Sequence, residues 1–218
     1  MIRNFSFSEL PYLLQAAGAT IGLTLMAMLI GGMAGLFLAL GRVSLWPALR
    51  TLVSGYIATV QGVPVLILLF MAYYGIGRLG FDIPPILAAA FSLSIYASAY
   101  LGDIWRGAIQ SVARQQWEAS ASLALSRSQQ YRYIILPQAV RIALPPTVGF
   151  LVQLVKNTSV VSIVGVVELA RAGQLINNAT FQPFQVFVTV AALYFVICYP
   201  LSWVSRRLEA RFNANRPS

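Results

Sequence analysis

"LVQLVKNTSVVSIVG", residues 151–165, decides how the chain is to be read. The stretch is apolar enough to lie in a bilayer. Yet Lys156, Asn157, Thr158 and Ser159 stand together at its middle, and Lys156 is the only lysine in the protein. A charge at the centre of a membrane helix costs roughly 2.5–3.5 kcal/mol even on insertion scales. A fold that keeps one there either compensates for it or uses it.

The rest of the chain supports a membrane setting. Of its 218 residues, 58% are hydrophobic and 10% charged, and the mean hydropathy is +0.73. A soluble domain would carry about 25% charged residues. Histidine is absent and Cys198 is the single cysteine, so there is no intrachain disulfide, and the commonest general base and metal ligand are missing. The six acidic residues are scattered, which speaks against both a metal site and a membrane-embedded enzyme working by acid–base chemistry. The net charge of +9 does not point to nucleic acid, because the arginines flank apolar runs as they do in cytoplasmic loops.

Uncharged runs of roughly 20 residues mark crossings. They fall near residues 20–40, 51–77, 83–102, 142–167 and 184–203. The expectation is an all-α, polytopic protein of five transmembrane helices forming a single domain over 1–218. The first run is too long for a cleaved signal peptide and reads as an anchor. The segment before it, "NFSFSELPYLLQ" (4–15), has amphipathic character suited to the interface. Eleven arginines (42, 50, 106, 114, 127, 132, 141, 206, 207, 211 and 216) fall on one side of this arrangement, and only Arg3, Arg78 and Arg171 on the other. The rich side is cytoplasmic, which puts the N-terminus outside and the C-terminus inside. Two G-x-x-x-G pairs, Gly18/Gly22 and Gly31/Gly35, predict close helix contacts on the first span.

Between the third and fourth runs lies a polar, cytoplasmic segment, "QQWEASASLALSRSQQYRYIILPQAVRIALPP" (115–146). Its first half reads as a short helix through Leu123. Ser126-x-x-Gln129 is a capping-box pattern that starts a second helix, and Pro137 is expected to end or kink it. Two short helices with a sharp join make a knob suited to a partner's groove.

At this loop the chain resembles the permease subunits of ABC-type importers, and within them the polar amino acid branch. Such permeases carry a cytoplasmic Glu-Ala-Ala loop ending in I-x-L-P. Here Glu118-Ala119-Ser120 is followed by Ile134-Ile135-Leu136-Pro137. "QGVPVLILLF" (61–70), "YLGDIWRGAIQSV" (100–112), "LPQAVRIALPP" (136–146) and "KNTSVVSIVGVVELARAGQ" (156–174) are similar to further segments of that branch, so the resemblance covers nearly the whole chain. Ser120 stands where the family has a second alanine. Ala124 stands where it usually has a glycine, a position at which alanine costs about 1 kcal/mol if the backbone turns left-handed.

The resemblance implies the type I ABC importer permease architecture, with a coupling loop at about 106–141, in a bacterial cytoplasmic (inner) membrane. It implies two ATPase subunits that use ATP and Mg, a periplasmic solute-binding protein, and a second permease copy or paralogue, all within membrane lipid. The chain itself binds no cofactor. A nucleotide-binding P-loop needs a lysine after a glycine-rich turn, and Lys156 follows Val155 inside an apolar span, so ATP hydrolysis has to come from a partner. The outer connections, about 78–84 and 168–182, read as loops too short to capture a solute unaided.

Within the coupling loop the expected contact residues are Glu118 and Ala119, with Ser120, Leu123, Ala124 and Ser126 shaping the turn. Broken membrane helices often carry transport sites, and on that ground Lys156, Asn157, Thr158 and Ser159 are candidates to line the substrate pathway. Gln61, Tyr100 and Asp103 are further candidates. The bland alternatives are that Lys156 pairs with Asp103 or a helix C-terminus, or snorkels to an interface, and that Glu118 merely complements its own helix dipole. A self-sufficient secondary transporter or channel is the rival class, disfavoured by the few acidic residues and the lack of a visible inverted repeat. The resemblance implies a polar amino acid as the cargo, with another small solute, such as an opine or organic cation, as the alternative.

Overall fold

The computed structural model describes residues 5–213. Arg3, Asn4 and Arg216, used above for orientation and for the amphipathic segment, lie outside the described residues. Helices α1 (Leu10–Arg42), α2 (Pro47–Gly62), α3 (Val65–Arg78), α4 (Pro85–Gln110), α5 (Arg114–Ser122), α6 (Leu136–Asn157), α7 (Leu169–Thr180) and α8 (Pro183–Asn213) follow one another, with no strand among the described residues. Four uninterrupted spans are long and apolar enough to cross a membrane, and α2 with α3 makes a bent fifth.

That bend corrects the expected straight crossing at 51–77. The axis turns by 103° between α2 and α3. Pro64 cannot donate a helix hydrogen bond, and it drives the residue before it out of the helical region. Val63 accordingly sits at φ −105°, ψ 129°.

Pro137 has the opposite outcome. It was expected to end or kink the second loop helix, but the chain runs without a break from Arg127 through α6. A π-helical stretch, Gln130–Ile135, precedes the proline, and such stretches absorb irregular hydrogen bonding. The side-chain amide of Gln138 donates to the Ile134 carbonyl at 2.9 Å. Pro145 and Pro146, near the start of the 142–167 run, lie well inside α6, which begins at Leu136. Ser205 Oγ of α8 donates to the Pro145 carbonyl at 2.9 Å, as membrane helices commonly re-satisfy backbone groups near proline.

α4 is the central helix and packs against α1, α2, α3 and α6. Gly31 and Gly35 explain how α1 comes so close: a Cβ on Gly31 would sit 2.6 Å from Ala97 Cβ, and one on Gly35 would sit 3.0 Å from the Ser98 carbonyl. Gly18 and Gly22 have nothing within 4 Å of such an atom. Among the described residues, only the second G-x-x-x-G pair is therefore a helix contact.

The expected outer loop at 168–182 is largely a helix, α7. Leu169, Ala172, Gly173 and Ile176 recur at helical spacing and are all buried, packing with Leu13, Ala16 and Ala17 of α1 and Val186 and Val190 of α8.

Candidate functional site

Two regions hold the predicted residues, at opposite ends of α6. The first is the loop that leads into it. α5 is nine residues long, and Trp117 and Ser120 face inward at i, i+3 spacing. The Trp117 ring meets Tyr131 edge-on at 5.2 Å. Ser120 is buried and donates to the Trp117 carbonyl at 2.8 Å. Glu118, Ala119 and Leu123 occupy the outer face and are exposed. Glu118 accepts from Arg114 Nε at 2.8 Å and is not in the first turn of α5, so its local partner is a side chain rather than the helix dipole.

The join after α5 is a Schellman motif. Leu125 N donates to the Ser120 carbonyl at 3.3 Å and Ala124 N to the Ala121 carbonyl at 2.9 Å. Between them Ala124 has φ +56°, the left-handed conformation in which glycine is normally placed. The sequence departure at Ala124 thus becomes local backbone strain. The buried Gln130 donates to the Leu125 carbonyl at 2.9 Å and stitches the join shut. Ser126 then starts the next helix with a full capping box: its N–H donates to Gln129 Oε1 at 2.8 Å, and Gln129 N donates to Ser126 Oγ at 3.4 Å.

The second region begins where α6 stops at Asn157. Residues Thr158–Val164 form a 3-10 helix that ends on Gly165 at φ +90°. Lys156 sits in the last turn of α6, where a cation is favoured by the helix dipole. It is exposed on the chain rather than buried in a span, and it does not pair with Asp103. That carboxylate instead accepts from Arg106 Nη2 at 2.8 Å and Nε at 3.0 Å, with Arg42 4.0 Å away. Asn157 and Ser159 are half-buried, and Ser159 Oγ donates to the Lys156 carbonyl at 2.7 Å. Thr158 is fully buried and donates to the Val155 carbonyl at 2.8 Å.

Tyr100, Tyr96 and Phe150 form a mutual aromatic triangle, with the Tyr100 centroid 4.5 Å from Tyr96 and 5.5 Å from Phe150 and the other two rings 5.9 Å apart, and this group adjoins the same core cluster as Val160, Val161 and Val164. Tyr100 and the 3-10 segment therefore border one region. Gln61 is half-buried in the last turn of α2, beside the 103° bend. Asp103 belongs to the arginine cluster at the far end of α4.

Sequence reasoning missed Glu168. Its carboxylate is fully buried and has no cation partner among the described residues. Oε1 accepts from Arg171 N at 2.8 Å. Oε2 accepts from Ala170 N at 3.0 Å, from Tyr194 Oη at 2.7 Å and, more weakly, from Thr20 Oγ1 at 3.5 Å. Thr20 Oγ1 in turn accepts from Leu169 N at 3.2 Å. One acid thus caps α7 and ties it to α1 and α8, just beyond the broken segment. The available signal was an acid directly before an i, i+3, i+4, i+7 apolar pattern.

Comparisons with known proteins agree with this architecture. The family described as "Binding-protein-dependent transport system inner membrane component" matches residues 31–214. The probable amino-acid ABC transporter permease protein YckA of Bacillus subtilis (strain 168) is 35% identical over 209 residues, covering 96% of this chain and 92% of that protein. The nopaline transport system permease protein NocM of Agrobacterium fabrum is 30% identical, covering 95% and 93%. A crystal structure of an amino acid ABC transporter with histidines is similar at 31% identity and a TM-score of 0.89, over 96% of this chain and all of that one.

Proposed function

The chain belongs to the binding-protein-dependent transport system inner membrane components, and on that premise we propose that it forms the pathway for a polar amino acid and is driven by an ATPase docked on its coupling loop at about 106–141. As a family member it is a multi-pass permease subunit of an ABC importer in the cytoplasmic membrane. It is not an enzyme, and hydrolysis resides in a separate ATPase subunit.

One observation carries the docking half: α5 buries Trp117 and Ser120 against its own chain and leaves Glu118, Ala119 and Leu123 uncovered. Leu123 is 73% exposed. A leucine exposed at the tip of a polar, arginine-rich loop offers an aliphatic side chain to a partner's pocket, and Glu118 offers a carboxylate for a basic group there. Because the π-helical stretch joins Arg127–Gln129 to α6 in one rod, a push on α5 reaches the Lys156 end through the Ala124 join and that rod. With the arginine-rich end cytoplasmic, the N-terminus faces outside and the 156–165 segment lies toward the outer half.

The cargo assignment rests on the Lys156–Ser159 cluster and on the relatives' names. Lys156 offers a cation for an α-carboxylate, and Asn157 and Ser159 offer hydrogen-bonding groups beside a broken helix. In this reading a periplasmic solute-binding protein delivers the amino acid, two ATPase subunits supply the energy, and a second permease copy or paralogue completes the pathway. The nopaline permease favours one alternative, an opine, which also carries an amino acid carboxylate.

The test is uptake into proteoliposomes holding this permease, its ATPase and its binding protein, with labelled amino acids and nopaline as cargo. ATP-dependent uptake that collapses in Glu118→Ala supports the assignment. Uptake that proceeds without ATP refutes it in favour of a secondary transporter.

A further inference from the structure

An open groove of about 560 Å³ runs between α1, α4 and α6. Its floor is made of small residues, Gly32 and Ala39 on α1 and Ala139 and Ala143 on α6. Its walls are larger apolar side chains such as Met33, Leu36 and Val140. The volume is that of a small-molecule pocket, roughly 300–1,000 Å³, yet almost nothing polar lines it. A featureless lipid-facing surface would have neither a recessed floor nor a defined length.

The length carries information. Along α1 the groove extends from Met28 to Leu40, which at roughly 1.5 Å per residue is about 18 Å. A bilayer's hydrocarbon core is about 30 Å, so one leaflet is about 15 Å deep. The slot is one leaflet long.

At the Leu40 end the groove meets a second hollow of about 310 Å³, lined by Leu40, Val43, Ser44, Leu45, Arg127 and Tyr131. Leu40 is shared by both. The chemistry changes there from hydrocarbon to a guanidinium, a hydroxyl and a phenol. Arg127 has no carboxylate partner among the described residues. It stands in the first turn after the Ser126 cap, where a cation gains nothing from its own helix dipole. A one-leaflet apolar slot ending at an unpaired arginine is complementary to one molecule: an acyl chain that ends in an anionic headgroup.

We infer that this groove is a binding site for an anionic phospholipid, with one acyl chain between α1 and α6 and the phosphate at Arg127. The site joins the first span to the root of the loop beyond Ser126, so its occupant bridges the membrane body and the loop. Which leaflet supplies the lipid depends on the orientation proposed above. The binding itself does not depend on it.

The test uses the full chain in detergent with defined lipids added back, read by native mass spectrometry for retained phosphatidylglycerol against phosphatidylcholine. Phosphatidylglycerol is expected to be retained preferentially. Arg127→Gln, an exposed change, is expected to lower its apparent affinity roughly fivefold, the contribution of one arginine beside an anionic headgroup, and to leave phosphatidylcholine unchanged. Val140→Trp, which fills the groove from an exposed wall, is expected to displace both lipids. Equal retention of the two lipids, or retention unchanged in both variants, overturns the inference. So does a disulfide between copies formed in native membranes by Val140→Cys in a Cys198→Ser background, which makes the groove a face between permeases. None of these readouts needs ATP or transport, so they fail independently of the proposed function.

Discussion

Tyr194 of α8 donates its phenolic hydrogen to Glu168 Oε2 at 2.7 Å, joining the last span to the acid that caps α7. The same oxygen also accepts from Ala170 N and, more weakly, from Thr20 Oγ1, so the carboxylate is held by donors from three elements. A buried carboxylate without a cation is tolerable only when its oxygens are this well supplied.

Removing the acid and removing the phenol are therefore unequal changes. Glu168→Ala strips the α7 cap and leaves the Tyr194 hydroxyl without its acceptor, and is expected to cost about 2–4 kcal/mol from a lost cap and an unsatisfied buried donor. Tyr194→Phe removes one donor while two backbone amides remain, and is expected to cost about 1 kcal/mol. Thermal unfolding in detergent checks the order, and a Tyr194→Phe loss as large as that of Glu168→Ala would contradict it.

Ala124→Gly is expected to stabilise the loop. At φ +56° an alanine bears a penalty of about 1 kcal/mol that glycine does not, and Cβ is exposed at this position, so no packing is lost. The melting temperature should rise. A fall would mean that the added freedom of glycine in the unfolded chain outweighs the relieved strain.

The glycines of α1 divide into two kinds. Gly31→Val is expected to force α1 away from α4, since its Cβ would lie 2.6 Å from Ala97 Cβ and 2.7 Å from the Ser94 carbonyl, and to cost about 1–3 kcal/mol as overpacking. Gly18→Ala meets nothing within 4 Å and should be neutral, or stabilising by up to about 1 kcal/mol through helix propensity. Expression and unfolding of the two variants side by side settle the contrast.

Glu118→Ala is expected to leave stability within about 0.5 kcal/mol of the parent, because an exposed i, i+4 ion pair contributes about that much or less. Its effect should appear only in ATP-driven uptake and in co-purification of the ATPase. A destabilised variant would show that Glu118 supports its own loop rather than a partner.

Lys156→Met should fold normally, since the lysine is exposed and makes no ion pair among the described residues. If it meets the substrate carboxylate, uptake should show a KM raised at least tenfold with the maximal rate reduced less. An unchanged KM with a lowered melting temperature would assign it to the helix terminus alone.

The five spans, the capping box at Ser126 and the unusual alanine at 124 were legible because each is a local property: hydrocarbon length, a side chain reaching three residues on, a residue type at a turn. The prolines were not equally legible. Pro64 bends the chain by 103° while Pro137, Pro145 and Pro146 pass inside helical structure, because each outcome depends on the backbone and side-chain donors around the proline, such as the π-helical stretch before Pro137 and Ser205 beside Pro145. α7 was read as a loop although its apolar period was present in the sequence.

By itself the sequence determined the membrane setting, the apolar runs that cross it and the two-helix pattern of the 115–146 segment, since these follow from transfer energies and short-range hydrogen bonding that each segment carries alone. Only the tertiary structure decided that Gly31 and Gly35, and not Gly18 and Gly22, touch another helix. It alone took Lys156 away from Asp103 and brought Glu168 to Thr20 and Tyr194. Those are contacts across 26 to 148 residues, and they exist because one polar group buried in an apolar core must find its partners wherever the packing places them.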